Sequence, residues 1–225
     1  MFDKLLLPDI ISEIDDAVCS LFGVDLAITD EAYRSFFEML SAQERDRAMR
    51  FIKSDHQRNF VAARGALRSC LAQYVDCNPK ALVFTYGSHG KPTLLDYPEL
   101  QFNVSHSQGR ALIGIAHKRA IGVDLEQVRE MPRILGIAKR FFVGSEYEAI
   151  GRMSEGLRSQ HFFEYWTCKE AYLKATGVGL GQMRMLEIAI DGAAARVLRK
   201  PFNLNFVLAH VDLGCEFVGA IALEI

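Results

Sequence analysis

Apolar and polar residues recur with different periods along this chain, and the period predicts the element. From about residue 42 to 75 Ala, Leu and Arg dominate, Pro is absent and Gly65 is the lone glycine, which predicts a long helix. Ser41-Ala-Gln-Glu44 is a capping-box pattern for its start, and a break is expected near Lys53-Ser54-Asp55. Tyr86 to Pro92 is turn-rich. Gln101–Ser107, Ala111–Ala116 and Ile121–Val128 read as strands, with a turn at His117–Ala120 between the last two. Residues 132–155 are mainly helical in pattern. A second long helix is expected from about 159 to 176, stopped by Gly177-Val-Gly-Leu-Gly181. The tail from 185 to 225 alternates like two or three further strands, and residues 1–40 carry no clear pattern. Strands and helices occur in both halves without strict βαβ alternation, so the fold class expected is α+β.

Three stretches of this pattern hold candidate chemistry. In the strand Ile121-Gly-Val-Asp-Leu-Glu126, Ile121, Val123 and Leu125 face the core, while Gly122, Asp124 and Glu126 share the other face. Carboxylates one pleat apart lie about 7 Å apart at Cα, close enough for their oxygens to converge on one hard cation such as Mg²⁺. Gly122 leaves room beside them for something bulky. The alternative is a solvated strand face with two ordinary acids. In the second long helix, Trp166, Glu170 and Lys174 fall on one stripe at i, i+4, i+8. Glu170 and Lys174 form either a plain helical ion pair or, respectively, a third metal carboxylate or general base and a phosphate-neutralising cation. Phe162, Phe163 and Tyr165 are expected in the core, with Trp166 the residue best placed to wall a ligand. In Asn103-Val-Ser-His-Ser107, neighbouring strand residues point to opposite faces. Ser105 and His106 therefore make a poor nucleophile–base pair, and no G-x-S-x-G elbow is present. Their donors suit either phosphate contacts or a hydrogen-bonded turn.

Composition narrows the partners. A length of 225 residues suits one large domain or two small ones, and 50% hydrophobic residues supply a core. The formal net charge of −2 provides no global field for nucleic acid or membrane, so an anionic ligand has to be met locally. Such a local cluster exists: between 44 and 70 the chain carries Arg45, Arg47, Arg50, Lys53, Arg58, Arg64 and Arg68 against Glu44, Asp46 and Asp55. Arg64 and Arg68 share a helix face, whereas Arg58 points about a third of a turn away. The five cysteines are odd in number and form no C-x-x-C pair, which fits reduced thiols in a reducing compartment. The N-terminus, with Leu5-Leu6-Leu7 ended by Pro8 and acids, resembles neither a signal peptide nor a membrane span, and the expected location is cytoplasmic.

The order of the motifs is more specific than any one of them. G-K-P at 90–92, N-V-S-H-S at 103–107, I-G-V-D-L-E at 121–126 and F-x-x-x-W-x-x-K-E-A-x-x-K at 162–174 resemble the signature series of the phosphopantetheinyl transferases. The similarity is greatest to the longer, single-chain, surfactin-synthetase-activating type. Upstream E-R-x-R-A-x-R-F and F-V-A-A-R-G-A-L-R segments look alike too, so the resemblance covers roughly residues 41–181. It implies a pseudo-dimer of two similar α/β halves, 1–115 and 116–225, with coenzyme A in the cleft between them. It implies Asp124, Glu126 and Glu170 as Mg²⁺ ligands, with Mn²⁺ as the alternative ion, and Asp124 and Lys174 beside the pyrophosphate. Lys91, Pro92, Ser105 and His106 would contact coenzyme A, with Arg58 and Arg64 at the nucleotide end; the chemistry of the step adds Glu170 as the expected base, directly or through a metal-bound water. The implied reaction moves 4′-phosphopantetheine from coenzyme A to a serine of an apo acyl, aryl or peptidyl carrier protein, releasing adenosine 3′,5′-bisphosphate. The implied enzyme is a monomer with no nucleic acid or membrane partner, and its carrier-facing surface is expected near 135–165. Two rivals remain at this level: another Mg²⁺-dependent phosphoryl transferase or nuclease on the same acids, and a catalytically silent carrier-binding module.

Overall fold

The computed structural model describes residues 2–5, 19–87, 90–192, 194–201 and 203–225. The chain runs β1 (Phe2–Leu5), β2 (Cys19–Asp25), α1 (Asp30–Met39), α2 (Ala42–Met49), α3 (Ser54–Val75), β3 (Phe84–Tyr86), β4 (Pro92–Leu94), β5 (Leu100–Ser107), β6 (Arg110–His117) and β7 (Ile121–Gln127). It continues through α4 (Ile134–Phe141), α5 (Gly144–Arg152), α6 (Glu155–Thr176), β8 (Glu187–Asp191), β9 (Ala194–Arg199), β10 (Phe206–Val211) and β11 (Phe217–Glu224). This is a mixed α+β fold.

The capping box at Ser41 starts α2, with Ser41 Oγ accepting from Glu44 N and Glu44 returning a bond to Ser41 N. Residues 50–53 form the expected break before α3. Gly177 ends α6 in the left-handed conformation at φ 74°, as a helix stop requires. The tail holds four strands where the alternation suggested two or three, and residues 1–40 contribute β1, β2 and α1. The part of that segment at residues 6–18 lies outside the described residues.

Two antiparallel sheets carry the fold, in the orders β1-β2-β6-β5 and β7-β11-β10-β9-β8, and a small β3–β4 hairpin stands apart. Alternation along each strand divides its side chains between two cores. On β6, Ala111, Ile113 and Ile115 pack towards α3, while Leu112 and Ala116 meet Ile121, Val123 and Leu125 of β7. On β11, Ala220 and Ala222 pack towards α6, and Ile221 and Leu223 join the inter-sheet core. Each sheet thus has a 22-residue helix on its outer face and the other sheet behind it. A division at residue 115 falls inside β6; the chain passes between sheets in the turn from His117 to Ile121.

The glycine of the I-G-V-D-L-E stretch has a different use from the one expected. A Cβ on Gly122 would stand 2.0 Å from the Ala171 carbonyl oxygen and 2.4 Å from Ala175 N. The space beside it is filled by the α6 backbone, because only a residue without a side chain lets helix and strand approach so closely. That approach lays the Glu170 and Lys174 end of α6 along the Asp124 end of β7.

Candidate active site

The edge strands β5 and β7 meet through side chains. Asn103, Ser105 and Ser107 project from one face of β5 at a period of two. Asn103 Oδ1 accepts from Val123 N at 2.9 Å, Ser105 Oγ donates to Asp124 Oδ1 at 2.7 Å, and Ser107 Oγ donates to Glu126 Oε2 at 3.1 Å. Lys174 joins from α6, its ammonium donating to Asp124 Oδ1 at 2.6 Å and to Ser105 Oγ at 3.1 Å. Glu170 Oε2 lies 3.6 Å from the same ammonium. Four expected site residues, Ser105, Asp124, Glu170 and Lys174, are therefore gathered at one point of the seam.

The electrostatics of that point are unbalanced. Asp124 is 3% exposed, and its Oδ2 is buried with no hydrogen-bond partner among the described residues. Burial first, and then the Asp124 charge, push the Glu170 carboxyl up to about 7, against the opposing pull of Lys174. Glu126 is turned aside, towards Ser107 and towards Arg129 at 3.2 Å. Among the described residues no three His, Cys, Asp or Glu side chains are drawn into a group that could hold a metal. The Lys174 ammonium and the Glu126 partners account for this, since each takes up carboxylate oxygens that would otherwise converge.

An open cleft of about 830 Å³ lies alongside, lined by His106 and Asn103 of β5, by Gly90 and Pro92, and by Arg47, Arg50, Arg64 and Lys80. Its cationic wall and aromatic side chains suit an anionic, partly planar ligand. Partial burial and then the Lys174 charge hold the His106 imidazole below its ordinary pKa.

Sequence comparison decides the family. The description "4'-phosphopantetheinyl transferase, N-terminal" fits residues 27–118, and the "4'-phosphopantetheinyl transferase superfamily" fits residues 120–213. The 4′-phosphopantetheinyl transferase HetI of Nostoc sp. is 42% identical over 173 residues, covering 76% of this chain and 73% of that protein. The chain belongs to the 4′-phosphopantetheinyl transferases. Sfp of Bacillus subtilis, of the longer type, is 28% identical over 162 residues, 71% of each chain. A holo-(acyl-carrier-protein) synthase from Bacillus anthracis, solved in complex with CoA (3′,5′-ADP), aligns to 47% of this chain and 94% of its own at TM-score 0.41 and 19% identity.

Within this transferase the remaining expected residues fall in three places. Arg64 and Pro92 line the cleft. Arg58 faces away, donating to Asp30 Oδ1 at 2.8 Å and to the Ile28 carbonyl at 2.7 Å, with its guanidinium over the Tyr33 ring. The third-of-a-turn offset from Arg64 explains the separation. Lys91 sends its side chain to two backbone carbonyls, Ile121 O at 3.2 Å and Ala175 O at 3.0 Å, while its neighbours Gly90 and Pro92 face the cleft. Trp166 packs with Phe141 and Phe162, at ring-centroid distances of 5.5 and 5.6 Å, as part of an aromatic cluster.

Glu44 is the site residue that motif reading passed over. Counted there as an acid among cations, it is buried in the cleft wall and pairs with both Arg64 and Arg68. Burial works to raise its pKa, but the Arg64 charge, the Ser41 N–H and the two guanidinium bonds outweigh it, and the net value is lowered. Arg68 is consumed by Glu44 and by the Pro79 and Leu82 carbonyls, whereas Arg64 has its guanidinium carbon over the Phe84 ring, 3.8 Å from the centroid, and donates to Tyr86 Oη. The i, i+4 spacing of the two arginines was the available signal. Their shared partner was not visible, because it lies on another helix.

Proposed function

We propose that this transferase moves 4′-phosphopantetheine from coenzyme A to a serine of an apo carrier protein, with the nucleotide end in the cationic cleft and the pyrophosphate at the β5–β7–α6 seam. The supporting observation is that the cleft's row of cations ends beside a cluster of carboxylates with an unsatisfied buried oxygen. A bisphosphorylated nucleotide needs fixed cations, and its pyrophosphate needs charge neutralised where the leaving group departs. Arg47, Arg50, Arg64 and Lys80 supply the first, and His106 and Lys174 stand at the approach to the seam.

The residues fit a hard divalent cation. Asp124 Oδ2 lacks a partner among the described residues, and Glu170 is driven towards its neutral form by burial and the adjacent Asp124. A cation held by Asp124 and Glu170, with Glu126 turned inward, would satisfy both. Mg²⁺ bound there, or Mn²⁺ in its place, would neutralise pyrophosphate charge as adenosine 3′,5′-bisphosphate leaves. Lys174 and Ser105 orient Asp124 from the opposite side. Glu170 is the base on this reading, taking the proton of the attacking serine hydroxyl directly or through a water. Arg58, on this reading, stabilises the α1–α3 packing and leaves ligand contact to Arg64.

We extend the reading to the architecture: the two sheets, each with one long outer helix, are the halves of a pseudo-dimer, and one chain suffices for activity. The carrier docks on α4 and α5, where Lys139 and Arg140 are exposed. The test is to incubate the protein with coenzyme A, Mg²⁺ and a panel of apo carriers and weigh the carriers intact. One phosphopantetheine is expected on at least one carrier, lost on chelation and in Asp124→Ala. Coenzyme A binding with no transfer to any carrier would overturn the enzyme reading, and absence of coenzyme A binding would overturn the assignment of the cleft.

A further inference from the structure

We propose that Lys91 is a positioning residue that locks the catalytic strand to the catalytic helix, and that it is not a ligand of coenzyme A. The proposal rests on the cleft assignment above and concerns a residue on its border. Lys91 follows β3 and immediately precedes β4, in the hairpin that stands apart from both sheets. Its side chain crosses to the other half of the molecule and donates to Ile121 O at 3.2 Å and to Ala175 O at 3.0 Å.

Those two carbonyls belong to the elements that build the site. Ile121 opens β7, three residues before Asp124. Ala175 follows Lys174 directly and lies in the last turn of α6. Carbonyls of a last helical turn have no intrahelical partner, and the turn carries the negative end of the helix dipole, so a cation is the natural cap. The same junction is where Gly122 lets the α6 backbone press on β7. One ammonium thus ties together, at their closest approach, the strand that carries Asp124 and the helix that carries Glu170 and Lys174.

The rest of the lysine's environment agrees with a structural cation. Its neighbours Gly90 and Pro92 line the cleft, but its amine lies behind the wall they form, against backbone. Burial is the largest influence on the amine and holds it below the ordinary lysine range, and the acid that pulls the other way is Glu224. Loss of the tie should release the β7–α6 register by a fraction of an ångström, and misplacement on the scale of 1 Å can cost about 100-fold in rate.

The experiment compares wild type, Lys91→Met and Lys91→Arg in the full chain. It measures kcat and KM for transfer, calorimetric affinity for coenzyme A and for dephospho-coenzyme A, and the slope of affinity against salt. For Lys91→Met we expect kcat to fall at least about 10-fold. The coenzyme A affinity, its ratio to dephospho-coenzyme A and the salt slope should stay within about 3-fold of wild type. Lys91→Arg, which keeps donors for the carbonyls, should recover part of kcat. A drop in affinity with a shallower salt slope and unchanged kcat would make Lys91 a phosphate ligand and overturn the proposal, and so would wild-type behaviour on every measure. Should Lys91→Met give no cooperative unfolding transition, Lys91→Arg carries the same test of kcat against affinity. Failure of wild type itself to bind coenzyme A would count against the cleft assignment, not against the tie.

Discussion

Helix α6 presents Lys169 to Glu146 at 2.5 Å and, one and a half turns later, Lys174 to Asp124 at 2.6 Å. The first pair is sealed. Glu146 also accepts from Val143 N at 3.1 Å and Ile188 N at 2.9 Å, and Lys169 donates to Met183 O at 3.1 Å. Burial draws Glu146 up and Lys169 down, and these contacts oppose it. The pair pins α5, β8 and the turn after α6 to the helix. The second pair is open: Lys174 is 29% exposed, Asp124 Oδ2 has no partner among the described residues, and a second carboxylate crowds it. Two lysines in one motif thus do different work. A buried charge pair with every polar atom satisfied holds the fold, whereas one left with an unsatisfied oxygen is poised for a ligand.

The sharpest way to break this comparison is to neutralise the open pair. Asp124→Asn keeps the shape and removes the charge. Transfer to a carrier should fall by a factor on the order of 10³, with divalent-cation binding lost by calorimetry and little change in the unfolding midpoint. A variant that still bound the cation normally would remove Asp124 from the metal set.

Breaking the sealed pair should act on stability instead. Lys169→Met leaves Glu146 buried without its cation and should cost about 3–5 kcal/mol in urea unfolding. Adding Glu146→Gln, which removes the charge but keeps an acceptor for Val143 N and Ile188 N, should recover part of that loss. Lys174→Met should lower the same midpoint by less, because Ser105 still donates to Asp124 and Glu170, its carboxyl already pushed up to about 7, can take up a proton; an equal loss there would erase the distinction between the pairs.

Gly122→Ala tests how the open pair is placed. The added methyl meets α6 backbone, which cannot yield as a side chain would, so overpacking should cost about 3 kcal/mol or more, and kcat should fall further than stability alone explains. The comparison is steady-state kinetics at a temperature where both proteins are folded.

Glu44→Gln is the mildest change and sharpens the comparison from the cleft side. It should cost about 1–3 kcal/mol at pH 7 through its charged hydrogen bonds to Arg64 and Arg68. The folded pKa of Glu44 is lowered, so its contribution is fully present above the unfolded carboxylate value and is lost as pH falls through the folded one. Urea unfolding from pH 7 down to pH 3 should therefore show the wild-type advantage shrinking below about pH 4. A difference that stayed constant with pH would mean that Glu44 does not act through its charge.

Much of this site was legible before any coordinates. The period-two pattern of β7 put Asp124 and Glu126 on one face, the period-four pattern of α6 put Glu170 and Lys174 on one stripe, and both local arrangements stand. The alternation of β5 separated Ser105 from His106, and they point respectively to Asp124 and to the cleft. Arg58 and Lys91 show the limit. Each is a cation near a motif, but one is spent on Asp30 and the Ile28 carbonyl, and the other on the ends of two elements from the second half.

The amino-acid order by itself determined the two long helices, the strands β5 to β7, the caps at Ser41 and Gly177, the α+β class and, through the order of its motifs, the family, because each can be read from periods or patterns a few residues long. The tertiary structure alone decided which carboxylate is sealed and which is open, that the space at Gly122 belongs to a helix, and that Glu44 serves two arginines. Those outcomes depend on desolvation and on partners distant in the chain, and neither has a period that a sequence can display.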